Sequence, residues 1–240
     1  ATSLLAEEQA QDLLLRAQAG DVEAQMAMAQ RYLEGKGVPR SEQQVNWWLR
    51  QAADGGYLLA QLALANRYLH GMGIEVSEAD ALYWYREASK LGSGEAKYHV
   101  AMMGLKNNKV TDDAVIADLI ESADLEYAPA AYQLGRLYAL GQGFEQSYAQ
   151  AQEWYLKSAA LKHGPSCYAL GEIFDIGLGV VSSPQLALYW YRLSAELDYA
   201  PAQATLGSWY LRGEHVKMSS LEAGKWYRRA AYQENADACY

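Results

Sequence analysis

The sequence predicts an all-α fold in which antiparallel helix pairs stack into a solenoid of about six 36-residue repeats. Small residues, which we call anchor residues, recur at intervals of 36, 36, 34, 36, 36 and 36 positions. The anchor residues are Ala24, Ala60, Ala96, Ala130, Ser166, Ala202 and Ala238. Glycines and a tryptophan recur at fixed distances from most of these anchors. Such a period is typical of supersecondary units that bury their apolar faces only by stacking on their neighbours.

The first helix of each repeat, helix A, is predicted to begin near the anchor residue. Apolar or small residues stand at positions 0, +4, +5 and +8 from the anchor, which places them on one stripe of a helix. A glycine at +11 can adopt the left-handed conformation that ends this helix, and a second glycine at +13 relieves crowding where the chain turns back. The glycine pairs are Gly35/Gly37, Gly71/Gly73, Gly141/Gly143 and Gly177/Gly179, and the sixth copy has Gly213 followed by His215.

The second helix, helix B, has a tryptophan twelve residues before the next anchor and two small residues at −8 and −7. The tryptophans are Trp48, Trp84, Trp154, Trp190 and Trp226. These positions form a second apolar stripe, with the small pair allowing the next helix A to approach and the tryptophan filling the wider gap. Serines predict where helix B begins, as N-caps: Ser41 with Gln44, Ser77 with Asp80, Ser183 before Pro184, and Ser219 with Glu222.

This pattern resembles the Sel1-like repeat family, a branch of the tetratricopeptide-like solenoids. The fourth copy carries the resemblance at Ala130, Leu134, Gly135, Tyr138, Gly141, Gly143, Trp154, Tyr155 and Ala159. The resemblance covers roughly residues 20–238 and implies one right-handed superhelical domain over residues 1–240, with repeats starting near 24, 60, 96, 130, 166 and 202. It also implies a protein-binding scaffold and no particular reaction.

The third copy and the chain ends depart from this pattern. In the third copy Asn107-Asn108-Lys109 replaces the glycine pair, Asp118-Leu119 replaces Trp-Tyr, and Thr111 followed by two aspartates predicts the start of helix B. This copy is either a drifted repeat or a kink that shapes a partner groove. An N-terminal cap is predicted over 4–20, and Ala238 is predicted to open a seventh helix A. There the chain stops, so either it is part of a longer protein or its last helix B is partly uncovered and free to dimerise.

Composition narrows the class of partner. The formal net charge is −9, from 29 acidic and 20 basic residues, with no basic cluster of the kind that neutralises phosphates. Nucleic acid is therefore not an expected partner, whereas a basic protein surface would suit the chain.

Cys167 and Cys239 lie two repeats apart, too far to form a disulfide. No apolar run reaches the roughly 18 residues that span a bilayer. Family resemblance implies a periplasmic or exported protein, and a cytoplasmic location stays open.

A search for catalytic and metal-binding motifs predicts no enzyme, no metal site and no cofactor. The histidines occupy unrelated repeat positions and form no ligand pair with a cysteine or carboxylate at close helical spacing; they are His70, His99, His163 and His215. The sequence has no nucleophile elbow, phosphate-cradling loop or dinucleotide fingerprint.

Candidate partner-binding residues lie on helix A, away from the small-residue stripe. Position +2 holds Tyr98, Tyr132 and Tyr168 in three successive copies, a ladder of side chains that offer large contact area with few rotamers to freeze. Position +6 varies as a partner-specific surface would, although plain solvent exposure would give the same variation. The remaining candidates at and beside these columns are His99, Met102, Gln133, Arg136, Glu172, Asp175 and Trp209. Half-buried packing is the alternative for position +2, because Met26 and Leu62 occupy the same column.

We therefore expect a non-enzymatic scaffold that binds a partner protein on its concave face. The most concrete hypothesis, drawn from the resemblance, is a bacterial exported inhibitor or immunity protein that neutralises a secreted toxin or lipase effector. Two alternatives stay open at this point. One is an envelope adaptor that assembles secretion or polysaccharide machinery, and the other is a carbohydrate binder that uses the tyrosines and Trp209. The oligomeric state is not predicted.

Overall fold

The computed structural model describes residues 11–106 and 112–237, with side chains up to residue 233. No residue in these ranges belongs to a β-strand, and a helical segment over 11–18 precedes α1. The helices that follow are α1 (Val22–Glu34), α2 (Glu42–Asp54), α3 (Leu58–His70), α4 (Glu78–Lys90), α5 (Gly94–Lys106), α6 (Asp113–Asp124), α7 (Ala128–Leu140), α8 (Tyr148–Ala160), α9 (Gly164–Ile176), α10 (Pro184–Glu196), α11 (Ala200–Arg212) and α12 (Ser220–Asp237).

Odd-numbered helices are helix A and even-numbered helices are helix B of the predicted repeats. The helices pack in the pairs α1/α2, α3/α4, α7/α8, α9/α10 and α11/α12. This confirms the all-α solenoid of helix pairs. The chain divides into two compact units, Ala1–Met103 and Gly104–Tyr240. The first unit contains α1 to α4 and most of α5, and the second contains the end of α5 and α6 to α12.

Small anchor residues lie at the centre of the packing in each unit, as the 36-residue period predicts. Ala60 in the first unit and Ala130 and Ala202 in the second are fully buried. In the first unit the core cluster that contains Ala60 also contains Trp84 and Tyr85. Two core clusters of the second unit each contain a helix-B tyrosine, Tyr155 in one and Tyr191 in the other. The anchors are small because helices A and B of neighbouring repeats approach most closely there.

The glycine pair of the fifth copy shows why two glycines end helix A. Gly177 has a φ of 82°, in the left-handed region, and its backbone N–H donates to the carbonyl of Ile173 at the end of α9. Gly179 has a φ of 70°, and a Cβ atom there would lie 2.8 Å from the Cβ of Tyr148. The first glycine therefore ends the helix and the second makes room for α8, which confirms both predicted roles.

Helix B begins at a serine N-cap in most repeats. The backbone N–H groups of Gln44, Asp80, Leu186 and Glu222 donate to the hydroxyls of the predicted caps Ser41, Ser77, Ser183 and Ser219. Ser147, which the sequence analysis missed, caps α8 in the same way. In the third copy the cap of α6 is Asp112, whose carboxylate accepts from the N–H of Ala114. Asn107-Asn108-Lys109 and Thr111 lie outside the described residues.

The helix-B tryptophans are not equally buried, which corrects the expectation that each fills the gap between repeats. Trp48 and Trp84 are buried, but Trp154, Trp190 and Trp226 are only partly buried. The residue that follows the tryptophan is buried in both units, as Tyr85 in the first and as Tyr155 and Tyr191 in the second. The two units therefore differ in how deeply the tryptophan itself is buried.

Helix α12 is longer than the other helices and runs to Asp237, so no turn separates it from the anchor position that follows. Ala238 and Cys239 lie outside the described residues, as does the 4–10 part of the predicted N-terminal cap. Cys167 is a buried free thiol whose pKa burial raises to about 11. None of the described helices combines the length and apolar character needed to cross a bilayer.

Candidate functional site

The second unit brings together six of the predicted partner-binding residues on its helix-A side. Tyr132, Gln133 and Arg136 lie on α7, and Tyr168, Glu172 and Asp175 lie on α9. Burial raises the pKa of the Tyr132 phenol, the Arg136 guanidinium lowers it, and the Glu172 carboxylate on α9 raises it. We call the set Tyr132, Arg136, Tyr168, Glu172, Asp175 and Tyr199 the tyrosine–acid face.

Tyr132 is held in place by rings from two neighbouring elements. Its ring centroid lies 5.7 Å from that of Tyr155 on α8 and 5.2 Å from that of His163, the residue that precedes α9. The guanidinium carbon of Arg136 lies 6.0 Å from the Tyr132 centroid, and its Nη1 donates to Gln133 at 3.5 Å. One side of Tyr132 therefore packs against protein, while the exposed Arg136 shows that the ring also attracts a cation.

Tyr168 repeats the same arrangement one repeat later. Its ring lies 5.3 Å from Tyr191 on α10 and 5.5 Å from Tyr199, the residue that precedes α11. Burial raises the pKa of the Tyr168 phenol. Tyr168 is half-buried, so part of its side chain packs in the protein and part remains at the surface. Both interpretations of position +2, packing and partner contact, therefore apply to this side chain. The ring is anchored in the scaffold and leaves a polar edge at the surface.

The side-chain carboxyl of Glu172, which is half-buried, has a raised pKa. Burial raises its pKa, the nearby Asp175 raises it further, and the hydrogen bond with Tyr168 lowers it. Asp175 already has partners, with the Tyr191 hydroxyl at 3.5 Å and His215 Nε2 at 3.8 Å. Within the part of the chain that the structure describes, no Lys or Arg forms an ion pair with either carboxylate.

Replacing Glu172 with Gln is expected to stabilise the protein at neutral pH. The raised pKa means that the folded state holds a proton on Glu172 more readily than the unfolded chain, whose value is near the ordinary 4.5. The carboxylate therefore costs stability above its folded-state pKa, and this cost disappears as the pH falls through 4.5. Thermal melts should show a higher Tm for Glu172→Gln than for wild type at pH 7 and equal values near pH 4. A lower Tm at pH 7, with the exposed Glu153→Gln unchanged, would contradict this account.

The other candidates lie elsewhere. Tyr98, His99 and Met102 are on α5 in the first unit, where the His99 ring stacks on Tyr85 at 4.5 Å. Burial lowers the pKa of His99, and His70 lowers it further. Met102 is partly buried. The Tyr98 and His99 rings contact each other, with centroids 5.4 Å apart.

Trp209 is placed in the core rather than at the surface. Its exposed fraction is 5%, and its ring packs edge-on against Tyr191 at 5.2 Å and against His215 at 4.8 Å. Its ring contacts Tyr191 and His215, the two side chains beside Asp175, and it is too deeply buried for a ligand to contact. The physical reason is its position at +7, which faces helix B and not the solvent.

Sequence reasoning missed the aromatic residues that hold the two surface tyrosines. They are His163 and Tyr199, which precede helix A by one residue, and Tyr155 and Tyr191 on helix B. A signal was present, because the residue before helix A is aromatic in several repeats: Tyr57, Tyr127, His163 and Tyr199. Among the described residues, no group of three or more His, Cys, Asp or Glu side chains is arranged to hold a metal ion.

Comparison of the sequence with protein families gives a repeated match. The model of the Sel1 repeat matches residues 22–57, 58–93, 128–163, 164–199 and 200–235, which together are more than half of the chain. The chain belongs to the Sel1 repeat family. The Sel1 repeats leave 94–127 unmatched, and this is the third copy, in which the glycine pair and Trp-Tyr are replaced. A search of curated proteins found no significant match.

Solved structures agree with a Sel1 repeat fold. A Sel1 repeat protein from Oxalobacter formigenes is 25% identical, with a TM-score of 0.81 over 90% of this chain and 89% of that protein. A protective antigen of uropathogenic Escherichia coli with an SLR fold is 28% identical, with a TM-score of 0.79 over 93% of this chain, which spans only 48% of that protein. An immunity protein from Pseudomonas aeruginosa is 20% identical, with a TM-score of 0.57 over 90% of this chain and 80% of that protein, a likeness of fold alone.

Proposed function

We propose that the tyrosine–acid face binds a partner protein, and that the chain acts as a bacterial exported inhibitor or immunity protein that neutralises a secreted toxin or lipase effector. Sel1 repeats form a scaffold for protein interaction and carry no known reaction of their own. The observation that carries the proposal is the pairing of anchored tyrosine rings, Tyr132 and Tyr168, with the charged side chains of Arg136 and Glu172. Aromatic rings that are already fixed by packing lose little conformational freedom on binding.

The immunity role draws on fold likeness and on charge. Two of the solved neighbours are immunity proteins from Pseudomonas aeruginosa, at 20% and 19% identity. The net charge of −9 suits a basic partner surface, because complementary charge accelerates association and disfavours wrong partners. A periplasmic location belongs to the same proposal, since the neutralised effector would act there.

Two experiments test the proposal in sequence. The full chain, immobilised under native conditions, is used to capture a partner from an envelope extract, and the partner is then expressed in a susceptible bacterium with and without the chain. We expect growth to stop with the partner alone and to recover with wild-type chain. A partner that is not toxic would overturn the immunity role and leave the protein-binding role to be tested by affinity.

Arg136→Ala is expected to weaken binding of the captured partner by about tenfold without changing the Tm. The guanidinium is exposed, and among the described residues its hydrogen bond with Gln133 and its contact with the Tyr132 ring both lie within its own helix, so its loss leaves the fold intact. Isothermal titration calorimetry measures the affinity. Arg192→Ala, which removes an exposed arginine on helix B, is the matched control and should bind like wild type.

A further inference from the structure

A cavity of about 260 Å³ lies among α1, α2 and α3 of the first unit. Most of the side chains that line it are apolar, with Leu49 and Ala63 among them. Gln30 and Met72 also line the cavity and are exposed, so it opens to solvent. One aromatic ring fits such a space, because an engineered protein cavity of roughly 150 Å³ is enough to hold benzene.

The next repeat shows which side chain fills the corresponding space. Position −11 from the anchor holds a tyrosine in four copies and a leucine in two: Tyr85, Tyr155, Tyr191 and Tyr227, and Leu49 and Leu119. Tyr85, one period after Leu49, is fully buried. Its hydroxyl donates to Asn66 Oδ1 at 2.7 Å, and its ring stacks on His99 with centroids 4.5 Å apart.

The lining of the cavity contains the counterparts of these three residues. Leu49, Gln30 and Ala63 stand 36 positions before the tyrosine, the asparagine and the histidine, and all three line the cavity. In the first copy two rings are therefore replaced by smaller side chains, while an amide that can accept from a hydroxyl is kept. The cavity has the surroundings of a buried tyrosine without the tyrosine.

Arg67 makes the cavity more suitable for a neutral group than for an anion. Its side chain lines the cavity and is 7% exposed, yet its guanidinium already forms an ion pair with Glu42 and donates to Asn46 and to the carbonyl of Met72. A cation that is compensated within the protein offers little to a carboxylate. A ring, in contrast, gains apolar burial and can contact the guanidinium with its face.

We propose that this cavity receives a tyrosine side chain of a partner protein, with the tyrosine hydroxyl donating to the amide oxygen of Gln30. The amide nitrogen of Gln30 donates to Glu34, which leaves the oxygen to accept a hydrogen bond. The partner's ring takes the place that Tyr85 has in the next repeat. The cavity belongs to the first unit, so this site is separate from the tyrosine–acid face and does not depend on it.

Peptide probes on the full chain test the proposal. Acetyl-Gly-Tyr-Gly-amide is titrated into protein labelled at its methionine methyl groups, since Met26 and Met72 line the cavity and Met218 lies in the second unit. We expect saturable NMR shifts at Met26 and Met72 and none at Met218. The phenylalanine peptide should bind about threefold to tenfold more weakly, the effect of one lost hydrogen bond, and the leucine peptide more weakly still.

Leu49→Tyr is the most direct variant, because it restores the tyrosine of the neighbouring repeat and fills the cavity from within. It should abolish the shifts at Met26 and Met72 caused by the tyrosine peptide, while circular dichroism shows an intact fold. Gln30→Leu, at an exposed position, should lower the affinity for the tyrosine peptide to that for the phenylalanine peptide. Gln43→Leu changes another exposed glutamine, on α2, and should bind like wild type.

The absence of saturable shifts at millimolar tyrosine peptide, or equal affinities for the tyrosine and leucine peptides, would overturn the proposal. Unchanged binding to a folded Leu49→Tyr variant would also overturn it, because the peptide would then lie outside the cavity. If Leu49→Tyr does not fold, Gln30→Leu decides, and an unchanged preference for tyrosine over phenylalanine counts against the site. Tyr168→Ala should bind the peptide like wild type, so failure of the tyrosine–acid face is measured separately.

Discussion

Trp84→Ala is expected to lower the free energy of unfolding by about 3–5 kcal/mol. The indole is 2% exposed and belongs to the core of the first unit with Ala60 and Tyr85, so its removal leaves a cavity that surrounding helices cannot fill. Urea denaturation followed by circular dichroism measures the loss, and fluorescence of the remaining tryptophans reports it independently.

The matched variant is Trp190→Ala, the same position in the second unit. Trp190 is only partly buried, whereas Trp84 is 2% exposed, so the loss should be clearly smaller than for Trp84→Ala. Equal losses at the two positions would show that the structure assigns the core-filling side chain of the second unit wrongly.

The second large effect is expected at Gly171, in the middle of α9. A Cβ atom built there would lie 2.5 Å from two ring carbons of Tyr191, which is only 3% exposed and is bounded by Tyr168 and Trp209. The ring has nowhere to move, so Gly171→Val should cost about 2–3 kcal/mol through overpacking. The same denaturation experiment measures it.

Two glycines in the same unit serve as controls for Gly171→Val. A Cβ atom at Gly224 on α12 meets nothing within 4 Å, so Gly224→Val should have little effect. A Cβ atom at Gly207 would lie 2.9 Å from Tyr227, but that ring is 39% exposed and can turn away, so Gly207→Val should give an intermediate loss. Any other order of the three variants would contradict the packing described for helix A against helix B.

The repeat period was enough to predict helix pairs, helix ends and most serine caps, because these depend on local backbone preferences. Gly177 and Ser183 are examples, since a left-handed φ and a side-chain cap are properties of a few neighbouring residues. The third copy was also recognisable from its missing glycine pair and tryptophan. The division of the chain into two compact units has no such local signature.

The candidate site was only partly predictable. The +2 and +6 columns predicted Tyr132, Tyr168 and Glu172 as candidate binding residues from their spacing alone. The repeat positions did not predict that Trp209 is buried or that the Tyr199 ring packs against Tyr168. Both features depend on how successive helices cross. That no Lys or Arg of the described part of the chain forms an ion pair with Glu172 is likewise a property of three-dimensional neighbours and not of spacing.

The central claim is that the tyrosine–acid face binds a partner protein, and the most direct test is the affinity of the captured partner for Tyr168→Ala and Tyr189→Ala. Both variants remove a tyrosine ring, from the face in the first case and from an exposed position on α10 in the second. Calorimetry at matched pH and salt should show at least a roughly tenfold weaker affinity for Tyr168→Ala and wild-type affinity for Tyr189→Ala. Wild-type affinity in Tyr168→Ala, or a loss confined to Tyr189→Ala, would contradict the account.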